Sequence, residues 1–291
     1  MTWQNLDVTG ALEATMTARR TRIAVGAAAA ALVLAACGGG GNGEDGGGDG
    51  GGAAAGAEFD LVQEGTLTAC SDVPYPPFEF EDPSAPSGYS GFDIDLLSTI
   101  AENLGLELAV QDVSFDALQS GTTLAAGQCD IGASAMTITP EREANLDFTD
   151  PYYDSLQSLL VHKDSGIESI DDLAGKNVGV QQGTTGQSYA QENATGANIS
   201  AFPSDGELWP ALQAGQIDAI LQDQPVNVEH VKADENYVIV EEYETGEQYG
   251  FALAKGQKPE LLEAINAELA TLREDGTYQE IYDSYFAADE S

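Results

Sequence analysis

From residue 67 onward the chain alternates between strand-like and helix-like arrangements of apolar residues, and it does so in two rounds. Residues 67–70 read as a first strand. Over 92–103 the residues Ile94, Leu97, Ile100 with Ala101, and then Leu104 fall on one face, the stripe of an amphipathic helix. Gly105 stands where a terminating glycine is expected. A strand over 106–110, a helix over 115–126 closed by Gly127 and a short buried strand over 130–134 follow. This β-α-β-α-β order predicts a parallel sheet covered by helices.

The pattern then restarts. Strands are predicted over 177–180, 218–221, 237–240 and 251–254, with helices over 185–192, 207–214, 259–273 and 277–286. No internal sequence repeat accompanies the second round. Two α/β lobes in one chain predict a cleft between them, where ligands of α/β proteins usually sit.

The first 57 residues follow other rules. Arg19, Arg20 and Arg22 precede an apolar run over 23–34, and Leu34-Ala35-Ala36-Cys37 ends it. A run of about a dozen residues is short of the roughly 20 that span a bilayer. With its basic flank and small residues it reads as a secretory signal peptide, residues 1–36, with Met16 the expected start. Leu-Ala-Ala-Cys resembles the lipobox of bacterial lipoproteins, which implies lipidation of Cys37. A general secretory signal with an incidental cysteine is the plainer reading. Residues 38–57 favour the first: almost wholly Gly and Ala, they make with Cys37 a flexible tether (37–57) of about 25 Å r.m.s. reach. An acyl-anchored cysteine and a leash form a coherent pair.

Of 10 Lys+Arg and 49 Asp+Glu, three arginines and two acids lie in the leader, so 7 bases face 47 acids in the remainder. Nucleic-acid binding needs a basic face and is excluded on that ground. Cys70 and Cys129 could bridge in an oxidising compartment. Placed at the end of one parallel strand and the start of another, they are instead expected to be separate buried thiols.

Two arginines fall in the two-lobed part. Arg273, late in a polar-faced helix beside Glu274 and Asp275, reads as a surface ion-pairing residue. Arg142 follows a strand end through Thr139, an N-cap, and Pro140, a first helical position. A cation in a first turn opposes the helix dipole, but there it can take a ligand carboxylate bidentately. An ion pair with Glu141 or Glu143 fits the sequence equally well. The stretch 178–186, Val-Gly-Val-Gln-Gln-Gly-Thr-Thr-Gly, is either an anion-binding helix start or a plain helix entry. No lysine stands at phosphate-loop spacing, which argues against a nucleotide. Asp223 ends a strand and could accept from an ammonium, although one acid among so many is a weak signal. Asp72 and Tyr75 follow the first strand and, with Phe115, offer an acid and aromatic faces to a cation or an apolar stem. A rigid proline turn packed into the core is the alternative.

The segments 72–78, 91–96, 134–142, 147–153, 183–186, 222–223 and 272–278, in that order, resemble the family 3 periplasmic solute-binding proteins. These include the glutamine-binding and the lysine/arginine/ornithine-binding proteins. The resemblance runs from about residue 60 to 287. It implies a type II periplasmic-binding-protein fold, two α/β lobes joined by two hinge crossings near residues 154–157 and 245–249. Lobe 1 would comprise 58–153 plus 250–291, and lobe 2 would comprise 159–249. It further implies a zwitterion clamp. Arg142 would hold an α-carboxylate with the amides of Thr137 and Thr185. Asp223 would hold the α-ammonium with Ser134 and the Thr137 hydroxyl, Ala135 contributing its backbone. Tyr75 and Phe115 would sandwich the side-chain stem, and Asp72 would meet its distal end. Gln181 stands where glutamine-binding relatives have lysine, and Gln222 where they have histidine. Absence of that lysine, with Asp72 present, favours a basic amino acid, a polar neutral one coming next.

The implied protein is an extracytoplasmic receptor without cofactor or metal. It would be a monomer tied to the membrane by its lipid anchor, closing on an amino acid and delivering it to an ABC permease. Two other functions fit the same fold: a dehydratase-like enzyme, and a ligand-sensing partner of a signalling receptor. Against the enzyme, His162 and His230 are the only histidines, and no Gly-x-Ser-x-Gly elbow is present.

Overall fold

The structure, a computed structural model, describes residues 59–287. The signal peptide, Cys37 and the tether lie outside the described residues.

The first round of the chain forms β1 (Thr66–Ser71), a small β2–β3 hairpin (Phe80–Glu81, Tyr89–Ser90), α1 (Phe92–Asn103) and β4 (Glu107–Asp112). It continues through α2 (Phe115–Gln119), α3 (Thr122–Ala125), β5 (Ile131–Gly132), α4 (Pro140–Glu143) and β6 (Leu146–Phe148). Helix α1 spans the predicted residues, and its stripe is buried at Ile94, Leu97, Ile100 and Ala101. Gly91 lets it start there: a Cβ at this position would lie 2.1 Å from the Phe78 carbonyl oxygen, and its φ is 131°. The single helix expected over 115–126 is instead broken in two. Gly121 adopts the left-handed conformation, φ 80°, against Asn145 and Leu146, which ends one helical run and starts another.

The second round forms β7 (Tyr153–His162), β8 (Asn177–Gln181), α5 (Thr185–Asn193), β9 (Asn198–Phe202) and α6 (Asp205–Gln213). Then come β10 (Ala219–Asp223), α7 (Gln224–Ala233), β11 (Tyr237–Tyr249), β12 (Ala252–Ala254), α8 (Pro259–Asp275) and α9 (Thr277–Phe286). Two five-stranded sheets result, ordered β4-β1-β5-β12-β6 and β11-β7-β10-β8-β9. The three strands of the first round, β4, β1 and β5, run parallel as expected, and later strands make each sheet mixed. β12 runs antiparallel to β5 and β6, and β7 runs antiparallel to β10 and β11. Strands β7 and β11 carry few of the apolar alternations that mark a strand where they cross between the sheets, because residues 154–157 and 244–248 are mostly polar. They pair with each other from Tyr153↔Tyr249 onward, with a register shift between Tyr243 and Glu247.

The first lobe's core joins Leu67, Phe92, Leu97, Ile100, Phe251 and Leu269, and α9 caps it with Tyr282 and Phe286 edge-on to Phe92. The second lobe's core gathers Leu159, Val161, Val178, Val180 and Leu221. Burying such side chains contributes about 1.5–3 kcal/mol each before entropy is charged.

Cys70 and Cys129 form a disulfide, their Cα atoms 5.8 Å apart, which overturns the expectation of separate thiols. That expectation put Cys129 in an extended strand. The chain bends at Asp130 instead and β5 begins only at Ile131, opposite Ala69, so Cys129 is not drawn away along the sheet. Arg273 also departs from its expected role. It donates to the Pro151 carbonyl at 2.7 Å and lies over the Tyr278 ring, with no ion pair among the described residues.

Candidate functional site

Loops leaving the C-terminal ends of strands from both sheets converge on one narrow cleft. All ten residues singled out from the sequence line it. Asp72 and Tyr75 follow β1, Phe115 opens α2, Ser134, Ala135 and Thr137 follow β5, and Arg142 stands on α4. From the second sheet come Gln181 at the end of β8, Thr185 at the start of α5 and Asp223 at the end of β10. Thr184, the N-cap of α5, completes the lining; it stands in the same Gly-Thr stretch and could have been found with Thr185.

Arg142 is 5 % exposed. Thr139 caps the short α4 by accepting from the Arg142 backbone N–H at 3.2 Å, which aims the side chain inward. Its guanidinium donates to the carbonyls of Thr137, 2.7 Å, and Gly183, 3.0 Å, and lies 5.2 Å from the Phe115 ring centre. It forms no ion pair among the described residues, so the reading with Glu141 or Glu143 falls. Two of five N–H donors are thus committed to backbone, and the fork is fixed in direction with donors to spare. Burial pulls its pKa down from the ordinary guanidinium value, opposed by the charges of Asp223 and Glu247.

Asp223 collects three donors: the Tyr75 hydroxyl at 2.9 Å, the Tyr249 hydroxyl and the Gln157 amide. Burial, and after it the neighbouring Glu247, pushes its carboxyl up to about 7. Asp72 touches the Gln181 amide, and burial likewise raises it to about 7 against that hydrogen bond, Asp112 and Asp205 adding to the rise. Ser134 accepts from the Asp72 N–H at 3.0 Å, so its hydroxyl supports the wall. Ala135 has φ 43°, the one non-glycine residue with positive φ among the described residues.

Glu247 and Gln157 were not found from the sequence. Glu247 Oε2 accepts from the hydroxyls of Thr137 and Thr185, each at 2.7 Å, while Oε1 accepts from Thr245 and Gln157. The Gln157 amide reaches both Asp223 and Glu247. Glu247 was one acid among many, and Gln157 lies on a strand that gave no periodic signal. Gln222 faces away from the cleft, into lobe 2, where its amide donates to Asp205 and Asn227.

Residues 67–288 match the bacterial extracellular solute-binding proteins, family 3. The chain belongs to this family. Among family relatives, the L-cystine-binding protein TcyJ of Escherichia coli K12 is 31 % identical over 78 % of this chain and 85 % of its own. The ABC transporter arginine-binding protein 1 of the same organism is 34 % identical over 73 % of this chain and 87 % of its own. An ancestral arginine-binding protein bound to glutamine superposes with a TM-score of 0.72 at 37 % identity, covering 78 % of this chain and all of the other. A family 3 solute-binding protein is extracytoplasmic. The relatives named here are all binding proteins, and the fold is the type II periplasmic-binding fold of two α/β lobes.

Proposed function

We propose that this family 3 protein is the receptor of an ABC importer for a free amino acid, with a basic side chain preferred to a polar neutral one. The carrying observation is the fixed separation of opposite charges in one cleft: the Arg142 fork from the first lobe and the Asp223 carboxylate from the second. A zwitterion answers both at once, whereas a simple acid or amine leaves one buried charge unmatched. In this reading Arg142 takes the α-carboxylate with the Thr137 and Thr185 amides, and Asp223 takes the α-ammonium. Tyr75 and Phe115 flank the stem.

The preference for a cation rests on charge balance. One arginine and the carboxyls of Asp72, Asp223 and Glu247 share a poorly solvated space. A ligand carrying a net positive charge relieves that excess, with Asp72 at its distal end. The names of relatives, which include arginine- and cystine-binding proteins, agree with an amino-acid ligand and differ on which.

The receptor works by closing lobe 2 (159–249) onto lobe 1 (58–153 plus 250–291), since the ligand touches both and binds the closed form better. It acts as a monomer held to the outer membrane face through lipidated Cys37 and the 37–57 tether, and hands its cargo to a permease. The test is calorimetry of the intact chain against arginine, lysine, glutamine and cystine, with R142A beside it. Binding of arginine or lysine that R142A weakens at least 30-fold, about 2 kcal/mol, is expected. Binding of no amino acid, or turnover of one, would refute the receptor reading.

A further inference from the structure

Directly behind the Ser134–Ala135 wall of the cleft, two carboxyl groups are wholly buried: Glu79, just before β2, and Asp93, in the first turn of α1. Their elements are locked together. The N–H groups of Phe92 and Asp93 donate to the carbonyls of Pro77 and Phe78, at 2.9 and 3.1 Å, where Gly91 leaves no room for a side chain. One oxygen of each carboxyl is well served. Glu79 Oε1 accepts from the Ser134 hydroxyl at 2.7 Å. Asp93 Oδ2 accepts from the Ala135 N–H at 2.8 Å and the Tyr152 hydroxyl at 2.7 Å. The other oxygen of each, Glu79 Oε2 and Asp93 Oδ1, is buried without any donor.

Two ionised carboxylates with two orphaned oxygens do not persist in such a place. The charged groups that raise Glu79 most are acids: Asp93 first, then Asp72 and Asp223 across the cleft floor. Tyr75 and Tyr152 pack beside them as neutral phenols, their own titration pushed far up first by burial. Neither carboxyl forms an ion pair with a lysine, arginine or histidine among the described residues. We infer that Glu79 and Asp93 share one proton between these two oxygens, and that the hydrogen-bonded pair is the element that positions the Ser134–Ala135 wall. A single O–H supplies one orphan with a donor and the other with a role as donor, so both are satisfied together. Burial, then the neighbouring acid, drives Glu79 well above the ordinary carboxylate range, and burial holds Asp93 near 7 in agreement.

The pair bears on the cleft through two contacts. Asp93 grips the amide of Ala135, the residue in the strained left-handed conformation. Glu79 grips Ser134, which in turn receives the Asp72 N–H. Loss of the shared proton would set two anions against each other beneath that wall.

Because the folded chain holds this proton more tightly than the unfolded chain, its stabilisation is full below the ordinary carboxylate pKa. It is lost as pH rises through the folded value. The test is E79Q, whose amide donates to Asp93 Oδ1 at every pH while its oxygen still accepts from Ser134. Thermal unfolding of the unliganded full chain is followed across pH, with the infrared difference spectrum against wild type at about pH 8.5, where ordinary carboxyls are ionised. We expect a protonated-carboxyl band in wild type that E79Q lacks, and an alkaline fall in Tm that is shallower in E79Q. If E79Q fails to fold, D93N carries the same donor from the opposite side and is measured identically. A wild-type chain without the band, or an amide variant with an unchanged alkaline fall, would overturn the shared proton. Neither readout depends on any ligand.

Discussion

Lowering the pH from 8 to 5.5 weakens ligand binding by an amount that reports what the distal end of the cleft touches. In the unliganded protein Asp72 and Asp223 both titrate at about 7, each raised first by burial. An ammonium against Asp223 pulls that carboxyl back down, so binding at acid pH must expel a proton. Each such group multiplies the dissociation constant by one plus ten to the power of pKa minus pH, about 33 at pH 5.5 and about 1.1 at pH 8. One group therefore costs about 30-fold, or about 2 kcal/mol, across this range; two groups cost about 900-fold, or about 4 kcal/mol. Arginine, cationic at both ends, engages both carboxylates and follows the steeper course. Glutamine can leave Asp72 protonated as a donor to its amide oxygen, and follows the shallower one. Isothermal titration at several pH values, in buffers of different ionisation enthalpy, counts the protons released. Equal slopes for the two ligands would remove Asp72 from the distal contact. A flat profile for both would refute the claim that burial raises these carboxyls.

Two stability predictions follow from the first lobe. Reducing the Cys70–Cys129 bridge, or replacing it in C70S/C129S, frees a loop of sequence separation 59. Loop-closure entropy sets that loss at about 4 kcal/mol at most, and denaturant unfolding with and without reductant measures it. G91A places a methyl 2.1 Å from the Phe78 carbonyl oxygen in a conformation that resists a Cβ. It should cost at least about 3 kcal/mol, and an unchanged midpoint would show that the start of α1 is looser than described.

Much of the cleft was legible because its residues sit where strands end. Arg142 could be read from its cap and proline, and Thr185 from the Gly-Thr helix start. Asp223 ends an apolar strand, and Asp72 with Tyr75 follows another. Family resemblance then assigned them to one site. What escaped had no local signature. Glu247 is distinguished only by partners from distant segments, Thr137 and Thr185. Gln157 matters because one amide reaches two carboxylates. The disulfide escaped because a bend at a single residue, Asp130, decides whether Cys129 reaches Cys70. The break in the helix over 115–126 likewise turns on one glycine, Gly121, whose left-handed conformation ends one helical run and starts the next.

The strand order of the first sheet has a consequence for a chain that emerges N-terminus first. The position between β5 and β6 is filled by β12, near the C-terminus, and β6 joins the sheet only through β12. The second sheet uses strands from one unbroken stretch, 153–249. An emerging chain can therefore complete its second half while the first still lacks its keystone, with β5 and β6 waiting as unpaired edges. Closing that sheet requires contacts spanning more than 100 residues, the slow kind of pairing. The interval in which this protein is vulnerable to aggregation ends only when its last strand arrives.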